Sequence, residues 1–227
     1  MRVKRVYIDS LNLSYNLLEA CFMYKDNYII EPIKTKTTFN PLQWSKAFGK
    51  PLTKNIIEAK IIHSNLGLKL PLKTFAVTPQ NQTIEFAGLQ GYNERSKLLK
   101  LHLLELKESL RYARVMRLDV AIDFKGRIPI KVIKQLTKNR VAFQYKNTTY
   151  YKTPKEKKTN RVMDIKIYDK SLYAKLDYPL YRLEFVFKSE YLNKIKLKDI
   201  QDIYPKIAKT IKKYTNLTVT INDIFKI

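Results

Sequence analysis

Cysteine occurs once in these 227 residues, at Cys21, and histidine twice, at His63 and His102. A single cysteine excludes a disulfide framework and a cysteine-based zinc site, and it points to an intracellular, cytoplasmic location. No H-x-H pair, H-E-x-x-H, P-loop or G-x-S-x-G pattern is present, which removes the commonest zinc-hydrolase, nucleotide-hydrolase and serine-hydrolase readings. Glycine is also scarce, at 5 residues, and no Gly/Ser-rich or Pro-rich linker divides the chain. Composition therefore enforces no boundary, and a single domain spanning 1–227 is expected, with halves at 1–113 and 114–227 of similar plan. No apolar run approaches the roughly 18 residues of a membrane span, and polar residues interrupt the N-terminal "MRVKRVYIDSLNLSYNLLEACF".

Acidic residues are few as well: 20 Asp and Glu stand against 44 Lys and Arg, a formal charge of +24. Such an excess calls for a polyanionic partner, nucleic acid before membrane. The aromatic residues, 16 of them tyrosine, favour nucleic acid because bases can stack on them.

Alternation of apolar and polar residues predicts strands over 5–13, 56–64, 72–77, 83–88, 114–124, 162–168 and 180–188, with an extended segment at 148–153. Leu99, Leu103, Leu106 and Leu110 form one helical stripe within 93–112, and a short helix is expected from Pro129 to about 139. Near the C-terminus, Leu197, Ile200, Ile203, Ile207 and Ile211 keep a helical period, and Pro205 should start a second helix or kink a single one. The fold class expected is α+β, an antiparallel sheet with helices packed on one face.

The polar positions of these strands carry the chemistry. In "RVMRLDVAIDF", Arg117, Asp119 and Asp123 share a face; in "YRLEFVF", Arg182 and Glu184 do the same. Were the strands neighbours, Asp119, Asp123 and Glu184 would converge as oxygen ligands for Mg²⁺ or Mn²⁺. The bland alternative is an open, solvated face on which Arg117–Asp119 and Arg182–Glu184 are surface ion pairs worth little. In "MDIKIYDKS", Tyr168 is the candidate nucleophile, with Lys166 and Lys170 placed to ease formation of phenolate or to stabilise a phosphorane. Tyr151 and Lys152 of "TTYYKT", with Arg117 and Arg182, are candidates for holding nucleic acid. Tyr173 lies five residues after Tyr168, a spacing that does not stack two rings on one helical face. Both histidines read as structural or surface residues.

The order "YIDSLNL", "RLDVAIDF", "TTYYKT", "IKIYDKS", "YRLEFVFKSEYLNKIKLKDI" resembles the replication initiators of filamentous phages (gene II type) and of rolling-circle plasmids of the Rep_trans type. The resemblance implies an HUH-endonuclease-like sheet and a nickase that starts rolling-circle DNA replication through a 5′-phosphotyrosine intermediate with a divalent metal. It maps the nucleophile onto Tyr168 with Lys170 beside it, and the metal-site acids onto Asp119 and Glu184, with Asp123 the third. Its implied partners are origin DNA, locally single-stranded, and a host helicase and polymerase, with the chain a monomer or dimer and no membrane involved. The chain departs from the HUH pattern in lacking the histidine pair, and residues 20–60 match no motif. Two other readings remain open from sequence: a non-catalytic module for single-stranded DNA or RNA, and a mobilisation relaxase of the same chemistry.

Overall fold

The computed structural model describes residues 6–15, 28–36, 55–63, 72–77, 82–89, 94–108, 110–138, 140–152 and 162–225. Ten strands run in chain order: β1 Val6–Tyr15, β2 Tyr28–Lys36, β3 Asn55–His63, β4 Leu72–Val77, β5 Gln82–Ala87, β6 Arg114–Lys125, β7 Val141–Tyr145, β8 Thr148–Lys152, β9 Met163–Asp169 and β10 Leu180–Lys188. The helices are α1 Glu94–Leu106, α2 Ile130–Thr137, α3 Lys170–Ala174, α4 Ser189–Leu192 and α5 Tyr204–Thr215, with a 3₁₀ helix at Leu197–Ile203. The α+β class with an antiparallel sheet is as the residue pattern predicts. Strand β2 lies in the stretch without a recognisable motif, and β7, α3 and α4 are further elements that the pattern does not announce. None of the helices among the described residues is long and apolar enough to cross a membrane.

The chain divides into two compact units. One comprises Met1–Ser10, Arg117–Ile195 and Asp199–Ile227; the other comprises Leu11–Met116 and Lys196–Lys198. In the second unit β2, β3, β4 and β5 are successive antiparallel neighbours. The stripe predicted there is real, since Leu99, Leu103, Leu106 and Leu110 are all buried, although α1 itself stops at Leu106. His102 is buried on the same helix, in agreement with its reading as structural.

In the first unit the strand order is β1-β6-β10-β9-β8-β7. One face of β6 and β10 presents Leu118, Val120, Ile122, Leu183, Phe185 and Phe187, all buried. Val132 and Leu136 of α2 and Ile207 and Ile211 of α5 are buried as well, and Gln135 of α2 donates to the Lys213 carbonyl of α5 at 3.2 Å. The C-terminal apolar series changes period where the helix changes type. Leu197, Ile200 and Ile203 recur every three residues in the 3₁₀ turn, whereas Ile207 and Ile211 recur every four in α5. Pro205 sits in the first turn of α5, where its missing N–H costs nothing. Gly126 ends β6 at φ +81°, a left-handed conformation open to glycine, and its N–H donates to Pro179 just before β10 begins. That turn helps fix the pairing of Lys125 with Leu180, from which the rest of the β6/β10 register follows.

Candidate active site

Residues directly opposite each other in a sheet lie on one face, so the register of β6, β10 and β9 assembles the polar residues in rows. Asp123 faces Arg182, which faces Tyr168; Ala121 faces Glu184, which faces Lys166. Asp119 lies one row on, opposite Val186 and diagonal to Glu184. This face is not the open, solvated one the alternation suggested: Asp119, Asp123, Glu184 and Arg182 are all buried. Charges taken out of water must be paired, and each of these is.

Arg182, fully buried, organises one end of the site. Its guanidinium forms ion pairs with Asp9 of β1 at 2.8 Å and Asp123 at 2.9 Å, and donates to the Tyr7 hydroxyl at 2.5 Å. Burial alone would ease its deprotonation, but the charges of Asp9 and Asp123 reverse this and keep it a cation. The Arg182–Glu184 pair read from sequence is thus replaced by a longer-range set, because Asp123 is directly opposite Arg182 in the register. Arg182 is also withdrawn as a nucleic-acid contact, since no part of it reaches the surface. Asp9 and Tyr7 were missed as site residues. Their signal was an acid inside the otherwise apolar "VYIDSL", the same anomaly that marks Asp119 and Asp123.

Glu184 is the centre of the other end. Lys166 Nζ lies 2.7 Å from its Oε1, and the Tyr168 hydroxyl donates to its Oε2 at 2.6 Å. Burial pushes the Glu184 carboxyl up, but the Lys166 charge, followed by hydrogen bonds from Lys166, Tyr168 and Asp119, outweighs it and holds the group below the ordinary value. Asp119 is raised to about 7, first by burial and then by the nearby negative charge of Glu184, against the hydrogen bond from Arg117. Arg117 grips Asp119 with both Nε at 2.7 Å and Nη2 at 2.6 Å. It is a two-pronged contact to a buried carboxylate, unlike the weak surface pair of the bland alternative.

Tyr168 is half-buried, and its phenol is pushed up, chiefly by burial and then by Glu184, with Arg182 opposing. The expectation that Lys166 and Lys170 ease formation of phenolate is corrected accordingly: Lys166 is engaged by Glu184, and the resting group is a phenol whose proton points at a carboxylate. Lys170 is lowered by its own burial and by the charge of Arg182. The strand turns into α3 right after the tyrosine, where the Asp169 carboxylate caps the helix by accepting from the Ser171 N–H at 2.9 Å. That corner also brings Tyr173 back: its ring meets Tyr168 edge-on, centroids 5.4 Å apart. The two tyrosines share no helical face, as their spacing implies, and their rings meet because one ends a strand and the other lies in the helix that follows. Tyr151, expected to stack on nucleic acid, is buried on the opposite side of β8 from its neighbour Tyr150, which pairs with Lys166, while Lys152 is exposed.

The three carboxylates expected to hold a metal do not form one cluster. Among the described residues no group of three His, Cys, Asp or Glu side chains is placed to hold a metal ion. Each carboxylate is engaged at both oxygens, Asp123 by Arg182, Asp119 by Arg117, and Glu184 by Lys166 and Tyr168, so a cation would have to displace one of these partners. Asp119 and Glu184 are diagonal neighbours in the register, and one or two carboxylates with substrate phosphate oxygens are a donor set that suits Mg²⁺ or Mn²⁺.

No protein-family model matches the chain, and no curated protein matches it. Among solved structures the chain is similar to a rolling circle replication initiator protein from Geobacillus stearothermophilus, with 16% sequence identity and a TM-score of 0.49, over 92% of this chain and 85% of that one.

Proposed function

We propose that this chain is a DNA strand-nicking and rejoining enzyme of the rolling-circle initiator type, with Tyr168 as the nucleophile. The observation that carries the reading is the 2.6 Å hydrogen bond from the Tyr168 hydroxyl to Glu184, a nucleophile and base already in contact within a half-buried site of a strongly basic chain. As the phenol oxygen bonds to a backbone phosphorus, its proton passes to Glu184. The bond from phosphorus to the 3′ oxygen breaks, leaving a 5′-phosphotyrosine and a 3′ end. Lys170, its ammonium made a better acid by burial and by Arg182, supplies the proton that turns the departing oxygen into a hydroxyl. Lys166 carries positive charge beside the phosphoryl oxygens, and Arg182 holds the Asp9, Asp123 and Tyr7 side chains in place behind them. Reversal by another 3′-hydroxyl rejoins a strand, since the phosphotyrosine conserves the phosphodiester bond energy. A divalent cation, held by Asp119 and Glu184, would act as a Lewis acid on the phosphate.

The raised phenol favours a second reading, in which Tyr168 is a structural residue of a non-catalytic single-strand-binding module. Incubation with labelled single-stranded oligonucleotides and supercoiled plasmid, with Mn²⁺ or chelator, separates the two. A denaturation-resistant protein–DNA adduct that disappears in Tyr168→Phe, while DNA binding persists, is expected. Binding without an adduct across a broad sequence pool would establish the module instead, and an undiminished adduct in Tyr168→Phe would remove this residue as nucleophile.

A further inference from the structure

Strand β7 ends the sheet order among the described residues, and all five of its residues are exposed. Val141, Phe143 and Tyr145 are each more than half exposed, an unusual concentration of large apolar side chains on an edge strand, where they normally invite aggregation. The register shows which way they face. Phe143 pairs with Tyr150, and Tyr150 with Lys166; Tyr145 pairs with Thr148, and Thr148 with Tyr168. The exposed rings therefore stand on the same face of the sheet as the nucleophile, about 10 Å away at two strand spacings. On the other face, β7 carries only Ala142 and Gln144.

Cations accompany the rings. Lys152 Nζ lies 5.6 Å from the Phe143 ring centroid, and Lys146 Nζ lies 5.6 Å from that of Tyr145. Lys146 occupies the hairpin turn at φ +50°, a left-handed position that glycine or asparagine fills with less strain. A lysine kept there at a conformational cost places its ammonium beside an exposed ring.

We propose that Phe143 and Tyr145, flanked by Lys146 and Lys152, are a stacking platform for single-stranded DNA that leads the strand to Tyr168. The proposal deepens the nicking function and rests on it for the location of the scissile phosphate. Unpaired bases offer the flat faces that rings can stack on and a backbone that lysines can neutralise, whereas duplex DNA hides the bases. The mixture of exposed rings and cations on this face complements such a strand better than it does a second copy of this +24 chain.

The test is fluorescence anisotropy of a labelled oligothymidylate with the full chain and with the double variant Phe143→Ala and Tyr145→Ala, whose exposed positions leave the core intact. The platform predicts a loss of affinity of roughly tenfold or more, with Tyr145→Phe close to the parent. It also predicts quenching of a tryptophan introduced by Phe143→Trp when the oligonucleotide binds. Unchanged affinity in the double variant would overturn it, as would an unquenched tryptophan. A fall in sedimentation coefficient in the double variant, with oligonucleotide affinity retained, would instead make β7 a self-association edge and overturn it too. The two readings fail separately: quenching without any covalent adduct would keep the platform and reject the nickase, and an adduct with unchanged affinity in the double variant would do the reverse.

Discussion

Of the site's side chains, Arg182 carries the largest structural burden. With the guanidinium gone, Asp9 and Asp123 would be two buried carboxylates without their cation. Arg182→Met should therefore destabilise the fold by about 3–5 kcal/mol in chemical denaturation, and a change within experimental error would show that the pair relaxes into water. Asp119 makes a prediction of opposite kind. Its folded value of about 7 lies above the ordinary 3.8, so between these limits the folded state binds an extra proton. Stability should fall as pH rises through that window, by at most about 1.4 kcal/mol per pH unit, and the slope should vanish in Asp119→Asn. The lowered Glu184 acts in the other direction, but only in more acidic solution, below the ordinary carboxylate range. The sequence showed Asp119, Asp123, Glu184 and Tyr168 as polar intrusions into apolar strands. It could not show which cation serves which acid, because partners such as Asp9 and Arg182 are 173 residues apart in sequence and meet only through the register of the sheet.

At the scale of strands and helices, alternation located most strands among the described residues to within one or two positions. The errors were of phase and of neighbourhood. Assigning Tyr151 to the functional face, when Tyr150 occupies it, is the one-residue error that a period of two turns into a wrong side of the sheet. Strand β7 escaped notice because both of its faces are exposed, leaving no buried partner to impose a pattern. Two substitutions probe the corners that hold the site strands. Gly126→Ala meets no atom within 4 Å of the added carbon, so its cost is that of the left-handed backbone alone, about 1–2 kcal/mol. Asp169→Ala removes the cap of α3 and should cost about 0.5–2 kcal/mol, with a loss of strand-cleaving activity if the corner positions Lys170. Denaturation curves and adduct yields check both, and an Asp169→Ala protein with unchanged stability would show the cap to be dispensable.

For the molecule as a whole, the excess of 24 positive charges is not neutralised within the site. Asp9, Asp119, Asp123 and Glu184 are all buried and are matched there by Arg182, Lys166 and Arg117, so they do not offset the exposed lysines. Association with DNA should accordingly be governed by release of counterions. Affinity for a single strand is expected to fall roughly tenfold or more as salt rises from about 50 to about 200 mM. An affinity insensitive to salt over that range would mean that phosphate contacts are few and that stacking alone holds the strand. The charge excess that motivates a polyanionic partner was legible from composition, but the division of Met1–Ser10 from the rest of the N-terminal half was not.

Tyr168 belongs to an interior strand, its backbone paired with Arg182 on one side and Thr148 on the other. In the proposed reaction, a nucleophile carried on such a strand is an anvil: it would not swing away once a DNA end is attached to it. On that proposal, exchange of one strand end for another would come from motion of the DNA across a stationary phosphotyrosine, and the amide hydrogen of residue 168 should be among the slowest in the chain to exchange with solvent deuterium.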